Sequence, residues 1–148
     1  MKWWVLGLLV CWAACRSLPP CVTPALQEVR LRWGVQDSLG KTIRGYELTA
    51  HAELFQYEAT EDSLLWRRRL GRIDGSLYCR LLVQTHRAFQ AVPAFYVPAD
   101  SQHFVEYRAP TAFMRAVWNP RYRTHGNEPL WVLYDSLEAA RRALHRPL

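Results

Sequence analysis

Tyr46-Glu47-Leu48-Thr49-Ala50-His51-Ala52-Glu53-Leu54-Phe55-Gln56-Tyr57-Glu58-Ala59 is the stretch on which the reading of the fold turns. Two short runs rich in aromatic and aliphatic residues, 46–50 and 54–59, are parted by the step His51-Ala52-Glu53, which predicts a β-hairpin. A third run, Leu64-Leu65-Trp66-Arg67-Arg68-Arg69-Leu70, puts Leu64, Trp66, Arg68 and Leu70 on one face and Leu65, Arg67 and Arg69 on the other, because strand side chains alternate. It extends the hairpin into a sheet. Asp74 stands where a helix N-cap belongs, its carboxylate able to accept from the free amides of a first turn. Leu77, Tyr78, Leu81, Leu82, Thr85 and Phe89 then recur at spacings of three and four, one apolar stripe of a helix that Pro93 ends. An apolar sheet face and an apolar helix stripe can bury that surface only against each other, so this segment is the nucleus of an α+β domain.

Working outward, Val29, Leu31 and Trp33 alternate with Arg30, Arg32 and Gly34, a half-buried strand placed first in the sheet. Beyond the helix, Ala94-Phe95-Tyr96-Val97-Pro98 reads as an apolar connector. A second hairpin follows, Phe104–Arg108 and Ala112–Trp118, turning at Ala109-Pro110-Thr111 and stopped by Asn119-Pro120. Asn127 is placed to cap a last helix with Pro129 in its first turn, where a missing amide costs nothing. Leu130, Leu133, Tyr134, Leu137, Ala140 and Leu144 form that helix's stripe, and Arg141, Arg142 and His145 complement its dipole. The expectation for 26–148 is a single α+β domain: an antiparallel sheet of about five strands with two packed helices, in the order β-β-β-α-β-β-α, after a cleaved signal peptide.

The address is written in the first residues. Lys2 precedes an apolar run from Trp3 to Cys15 that is 13 residues long, short of the roughly 20 needed to span a bilayer. Residues 1–14 therefore read as a signal peptide. Trp12-Ala13-Ala14-Cys15 resembles the lipobox of bacterial lipoproteins. That resemblance implies cleavage before Cys15, a diacylglycerol on its thiol with palmitate among the acyl chains, and a mature chain of 134 residues. Cys11 is the poorer acceptor because bulky Val10 sits beside the cut, and Trp12 disfavours ordinary secretory cleavage. Residues 15–25, with Pro19, Pro20 and Pro24, read as a proline-rich tether holding the domain away from its anchor. Outside the cytoplasm Cys21 and Cys79 are able to pair; equally, Cys79 at helical spacing suits a small buried hydrophobe.

Gly45-Tyr46-Glu47-Leu48-Thr49, Leu70-Gly71-Arg72-Ile73-Asp74, Trp118 and Leu133-Tyr134-Asp135-Ser136-Leu137 together resemble a class of small bacterial envelope lipoprotein domains of uncharacterised function. The likeness spans 26–144 and implies an extended hairpin, a third strand, an amphipathic helix, a second hairpin ending in Trp, and a final helix. It implies no catalytic residue.

The chain carries 19 basic and 13 acidic residues for a net charge of +6, and only Lys2 and Lys41 among the basic ones are lysine. Anionic lipid headgroups or wall polymers suit such a surface better than nucleic acid, which an exported protein rarely meets. An arginine-heavy composition equally reflects genomic base content or growth temperature. Two local features stand out. Arg67-Arg68-Arg69 beside Trp66 is either an anion patch with an aromatic neighbour or a solvated edge that resists strand pairing. Arg121, Arg123, His125 and Asn127 form a basic loop whose donors suit an anion at the start of the last helix.

Catalytic signals are sparse. His51, His86, His103, His125 and His145 are scattered with no metal-ligand spacing, so no metal site and no cofactor are expected. Cys79 and His86 lie seven residues apart, about 10 Å along a helix axis, too far for a thiolate–imidazole pair. The leading expectation is a non-enzymatic, lipid-anchored protein of the bacterial cell envelope that presents its domain to a protein or polymer partner. An anionic-ligand-binding domain is the second, and a hydrolase or thiol enzyme using Cys79 or His125 the third.

Overall fold

The computed structural model describes residues 17–37, 39 and 41–144. The leader, Cys15, Arg16 and His145 lie outside the described residues, so the expectations placed on them are not addressed by it. Four strands come first: β1 (Arg30–Asp37), β2 (Thr42–Thr49), β3 (Glu53–Thr60) and β4 (Leu64–Arg72). Helix α1 (Gly75–Ala91) follows, then β5 (Phe95–Tyr96), β6 (Ser101–Ala109), β7 (Ala112–Trp118) and helix α2 (Glu128–Leu144). These strands form one seven-stranded sheet in the order β4-β3-β2-β1-β6-β7-β5.

The α+β class and the two helices agree with the sequence reading, but two details are corrected. There are seven strands rather than about five, in the order β-β-β-β-α-β-β-β-α: β1, read as a strand at the start of the sheet, lies instead at its centre between β2 and β6, and Phe95–Tyr96 adds a strand at the far edge. The sheet is mixed rather than antiparallel: Phe95–Tyr96, read as a connector, pairs parallel to Ala116–Val117 at the sheet edge.

Alternation along the strands decides which face is covered. Leu31 and Trp33 of β1, Leu48 of β2, Leu54 of β3, Val105 and Tyr107 of β6, and Ala116 and Trp118 of β7 are buried in the main core. The stripes of α1 (Tyr78, Leu81, Leu82, Phe89) and α2 (Leu130, Leu133, Leu137) meet them there. Full burial of each large side chain is worth about 2 kcal/mol, so this face holds most of the hydrophobic stabilisation. Asp74 caps α1 by accepting from the amides of Ser76 and Leu77 at 2.9 and 3.0 Å. Trp33 Nε1 donates to Glu138 Oε1 at 2.9 Å and ties the central strand to α2. Gln84 Nε2 donates to Ser136 Oγ at 3.0 Å and ties α1 to α2.

Two backbone features shape the sheet. At the β2–β3 turn the Ala52 amide donates to Thr49 O at 2.9 Å with Ala52 at φ 59°. An alanine in this left-handed region costs about 1 kcal/mol, and full burial of its methyl offsets much of that. Gly34 and Gly45 are cross-strand partners in β1 and β2. A Cβ on Gly34 would meet Arg44 O at 2.2 Å, and one on Gly45 would meet Trp33 O at 2.4 Å, so neither position has room for a side chain.

The proline-rich segment read as a tether packs on the domain from Ser17 onward. Pro19 is buried, Val22 and Leu26 lie against the core, and Pro24–Leu26 is a 3-10 turn leading into β1. Arg72 Nη2 donates to Ser17 O, and Cys21 and Cys79 are joined by a disulfide with their Cα atoms 5.8 Å apart. The bridge closes a separation of 58 residues, for which the chain-entropy model gives about 4 kcal/mol. Replacing both cysteines by serine should lower the unfolding free energy by up to that amount, read as a fall in the urea midpoint, and adding reductant to the native protein should do the same. An unchanged midpoint in both experiments would show that the bridge contributes nothing.

Candidate functional site

The face of the sheet turned away from the helices carries the unusual chemistry. The residues that alternate with the core positions point here: Arg30, Arg32 and Gln36 from β1, Glu47 from β2, Phe55 and Tyr57 from β3. Arg67 reaches it from β4, Phe104, Glu106 and Arg108 from β6, and Arg115 from β7. Among the described residues no helix covers them. Tyr57, Phe104 and Val117 nevertheless form a second buried cluster, with Ile43 and Ala59 against it. The glycine pair makes room for this cluster, since the Phe104 ring lies 3.2 Å from where a Cβ of Gly45 would sit.

Two carboxylates are buried in this face, with side-chain exposures of 2% for Glu47 and 3% for Glu106. Glu47 Oε2 accepts from Arg32 and Glu47 Oε1 from Arg67, both at 2.6 Å, and Arg30 stands 3.9 Å away. Glu106 Oε2 accepts from Arg115 Nη1 at 2.8 Å; its other oxygen lies 3.3 Å from Arg108 and 3.9 Å from Arg32. Arg115 also donates through Nη2 to Gln36 at 2.5 Å, and Gln36 donates to Gln102 at 2.9 Å. Aromatic rings interleave with the cations: Arg67 lies 3.4 Å above the Phe55 ring, Arg32 5.3 Å above Tyr57, and Arg115 5.0 Å above Phe104. These are cation–π distances.

The electrostatics favour the charged pairs. Burial by itself pushes the Glu47 carboxyl up, but Arg32 and Arg67 outweigh it and hold the group below its ordinary value of 4.5. Burial pulls the Arg32 guanidinium down, and Glu47 more than reverses this. The Tyr57 hydroxyl is held neutral, pushed well up by burial. Six guanidinium groups (Arg30, Arg32, Arg67, Arg69, Arg108, Arg115) face three carboxylates (Glu47, Glu53, Glu106), a surplus of three positive charges on the strands themselves, with Glu28, Glu61 and Asp62 at the rims of the hollows.

Two hollows open on the face. One of about 630 Å³, at the end where β2 turns into β3, is lined by Arg30, Arg67, Arg108, Thr49, His51 and Phe55, among others, with Glu28 and Glu53 also on its wall. The other, about 320 Å³, lies beside the β3–β4 turn with Arg32, Tyr57, Glu106 and Arg115 on its wall and Glu61 and Asp62 near its mouth. Guanidinium forks stacked on aromatic rings match phosphate and carboxylate groups by geometry as well as by charge.

The residues proposed from sequence for an anion site lie elsewhere and are turned to separate partners. Arg123 holds Asp135 with both terminal nitrogens, at 2.9 and 3.1 Å, and stacks 4.9 Å over Trp131. Asn127 is fully buried; its side chain accepts from the Thr124 amide at 2.9 Å and donates to Tyr122 O at 2.7 Å, closing the loop on itself. His125 is exposed, with Nδ1 3.5 Å from Glu128, and the Arg121 amide donates to Asn119. Cys79, a candidate for thiol chemistry, has its sulfur bonded to Cys21, and the His86 ring sits edge-on to Tyr107. Of the arginine strand, Arg67 and Arg69 share the open face, while Arg68 turns the other way to Gln56. Among the described residues no cluster of His, Cys, Asp and Glu is arranged to hold a metal ion, and no helix is long and apolar enough to cross a membrane.

Sequence reasoning missed Glu47, Glu106, Arg108 and Arg115. The signal was present as opposite charges at cross-strand partners, Arg32 with both Glu47 and Glu106, and Glu106 with Arg115. It becomes visible only once the register and strand order are known.

Acid should loosen the fold in two steps. On the helix side His103 stacks on Tyr134 with ring centres 4.2 Å apart, and burial, then Arg123, lowers its pKa below 6.5. The unfolded chain therefore takes up that proton first, and stability present above pH 6.5 falls as pH drops below it. Glu47, also depressed, adds a second loss beginning near pH 4.5 and running down through its folded value. Urea midpoints measured across this range should show both limbs, with Glu47→Gln removing the lower one and His103→Phe the upper. Replacing Arg32 and Arg67 together by methionine, which strands the buried Glu47 carboxylate, should cost about 3 kcal/mol at neutral pH.

No protein-family model matches the chain, and no curated protein matches it.

Proposed function

We propose that the chain is a lipid-anchored protein of the bacterial cell envelope whose domain is a non-enzymatic binding module, with the helix-free sheet face as the surface that receives an anionic polymer or protein. The observation that carries this reading is the surplus of three positive charges on a face where aromatic rings hold the guanidinium groups in place. Two solvated hollows on that face give a ligand somewhere to enter. The Cys21–Cys79 disulfide supports an oxidising compartment, in keeping with a leader that ends at Cys15.

A surface of this kind binds by charge first, so affinity falls as salt rises. The full-length protein, solubilised in neutral detergent, should bind polyglutamate with salt-dependent affinity and should not bind neutral dextran. Arg30→Gln with Arg108→Gln should weaken binding roughly two- to fivefold per arginine. Arg80→Gln with Arg87→Gln, on the exposed side of α1, should leave it unchanged. Equal loss from both pairs, or binding that ignores salt, would defeat the proposal.

A further inference from the structure

The N-terminal strap fixes which end of the domain faces the anchor. Ser17 O accepts from Arg72, Pro19 packs against Gly75, and Cys21 is bonded to Cys79 on the first turn-and-a-half of α1. The strap is thus held against the end of the sheet where β4 finishes. Arg72 is the register partner of Glu53, and Glu53 lines the larger hollow. Cys15 precedes Ser17 by two residues in the sequence.

Charge along the sheet is polarised in the same sense. At the strap end stand Arg30, Arg69, Arg72 and Arg108 with the acidic Glu28, Glu53 and Asp74, so that arginine is in excess there. The far end carries Asp37, Glu58, Glu61 and Asp62 at the close of β1 and around the β3–β4 turn, against Lys41 and Arg44, so that carboxylates are in excess there. An acylated Cys15 would therefore present the basic end to the bilayer and hold the acidic end away from it.

We infer that the hollow between Arg30, Arg67 and Arg108 takes the phosphate of an anionic lipid headgroup in the membrane to which Cys15 is attached. This rests on the proposed anchoring and anion binding, and adds the ligand's source and the domain's orientation. Arg30 and Arg108 each keep about half of their side-chain surface exposed, 52% apiece, and their carboxylate contacts of 3.9 and 3.3 Å leave donors free for a phosphate. Arg67, more tightly held by Glu47 and Phe55, forms the hollow's fixed wall. The volume, about 630 Å³, lies within the usual range for small-molecule sites.

The test uses the acylated full-length protein in phosphatidylcholine vesicles with and without phosphatidylglycerol, read by amide hydrogen exchange. Segments 27–29, 50–52 and 109–111 should exchange about fivefold more slowly when phosphatidylglycerol is present, while the turn at 61–62 should not change. Arg30→Gln with Arg108→Gln should abolish that difference and leave exchange in α1 and α2 as in the parent, which shows that the variant is folded. Identical exchange in the two vesicles, or slowing at 61–62 instead, overturns the inference. If lipid composition has no effect while detergent-solubilised protein still binds polyglutamate, the membrane-facing site fails and the broader anion-binding reading stands. If both are negative, both fail.

Discussion

Glu47 is a carboxylate removed from water on a sheet face that no helix of the described residues protects, and the rest of that face is arranged around it. Burying such an ion costs several kcal/mol even after the protein relaxes. Each close pair with Arg32 or Arg67 returns about 4 kcal/mol at the effective dielectric of a protein surface. Two pairs win where one would roughly break even, which agrees in sign with the lowered pKa of the group. The mechanical consequence is as important. Arg67 starts on the edge strand and reaches across β3 to Glu47 on β2, so the ion pair staples the outer hairpin to the centre of the sheet.

That staple explains how one face of the sheet does without a helical layer. The buried cluster of Tyr57, Phe104 and Val117 is too small to stand as a core by itself, and its cover is the arginines. The guanidinium groups of Arg32, Arg67 and Arg115 lie over Tyr57, Phe55 and Phe104 while they pair with Glu47 and Glu106. Gly34 and Gly45 let Phe104 settle close to the backbone, which keeps this cluster thin enough for side chains to roof it. A roof made of charged side chains differs from one made of a helix in that its outer surface remains chemically active. On the proposed function, stability and ligand recognition would fall on neighbouring residues of one face, with Arg32 and Arg67 committed to the fold and Arg30 and Arg108 held more loosely.

The elements legible in the sequence are those fixed by neighbours in the chain. The α1 stripe and the Asp74 cap depend on residues within four positions of one another, and both antiparallel hairpins close through short turns. What escaped reading depends on distant partners. Phe95–Tyr96 is a strand only because Ala116 and Val117 lie beside it. Pro19 looks like linker until Arg72 and Cys79 hold the strap down. Arg123 looks available until helix α2 brings Asp135 to it. Glu47 looks like an ordinary outward position between Tyr46 and Leu48, and its burial is set by Arg67, twenty residues later and two strands away.

The predominance of arginine over lysine acquires a structural reason at this face. Arg32 brings Nε and Nη2 to the same oxygen of Glu47, both at 2.6 Å, while its Nη1 points toward Glu106 at 3.9 Å, so a single side chain connects the two buried carboxylates. Arg115 divides its terminal nitrogens between Glu106 and Gln36. A lysine ammonium is a compact point charge and cannot spread flat over a ring or hold two separated acceptors with fixed geometry. Genomic base content sets how easily arginine arises across the whole chain, but it does not place the planar forks over Phe55, Tyr57 and Phe104. At Arg32, Arg67 and Arg115 the side chain's shape is what closes the face, and a surface built on those shapes would discriminate among anions by the geometry of their oxygens as well as by their charge.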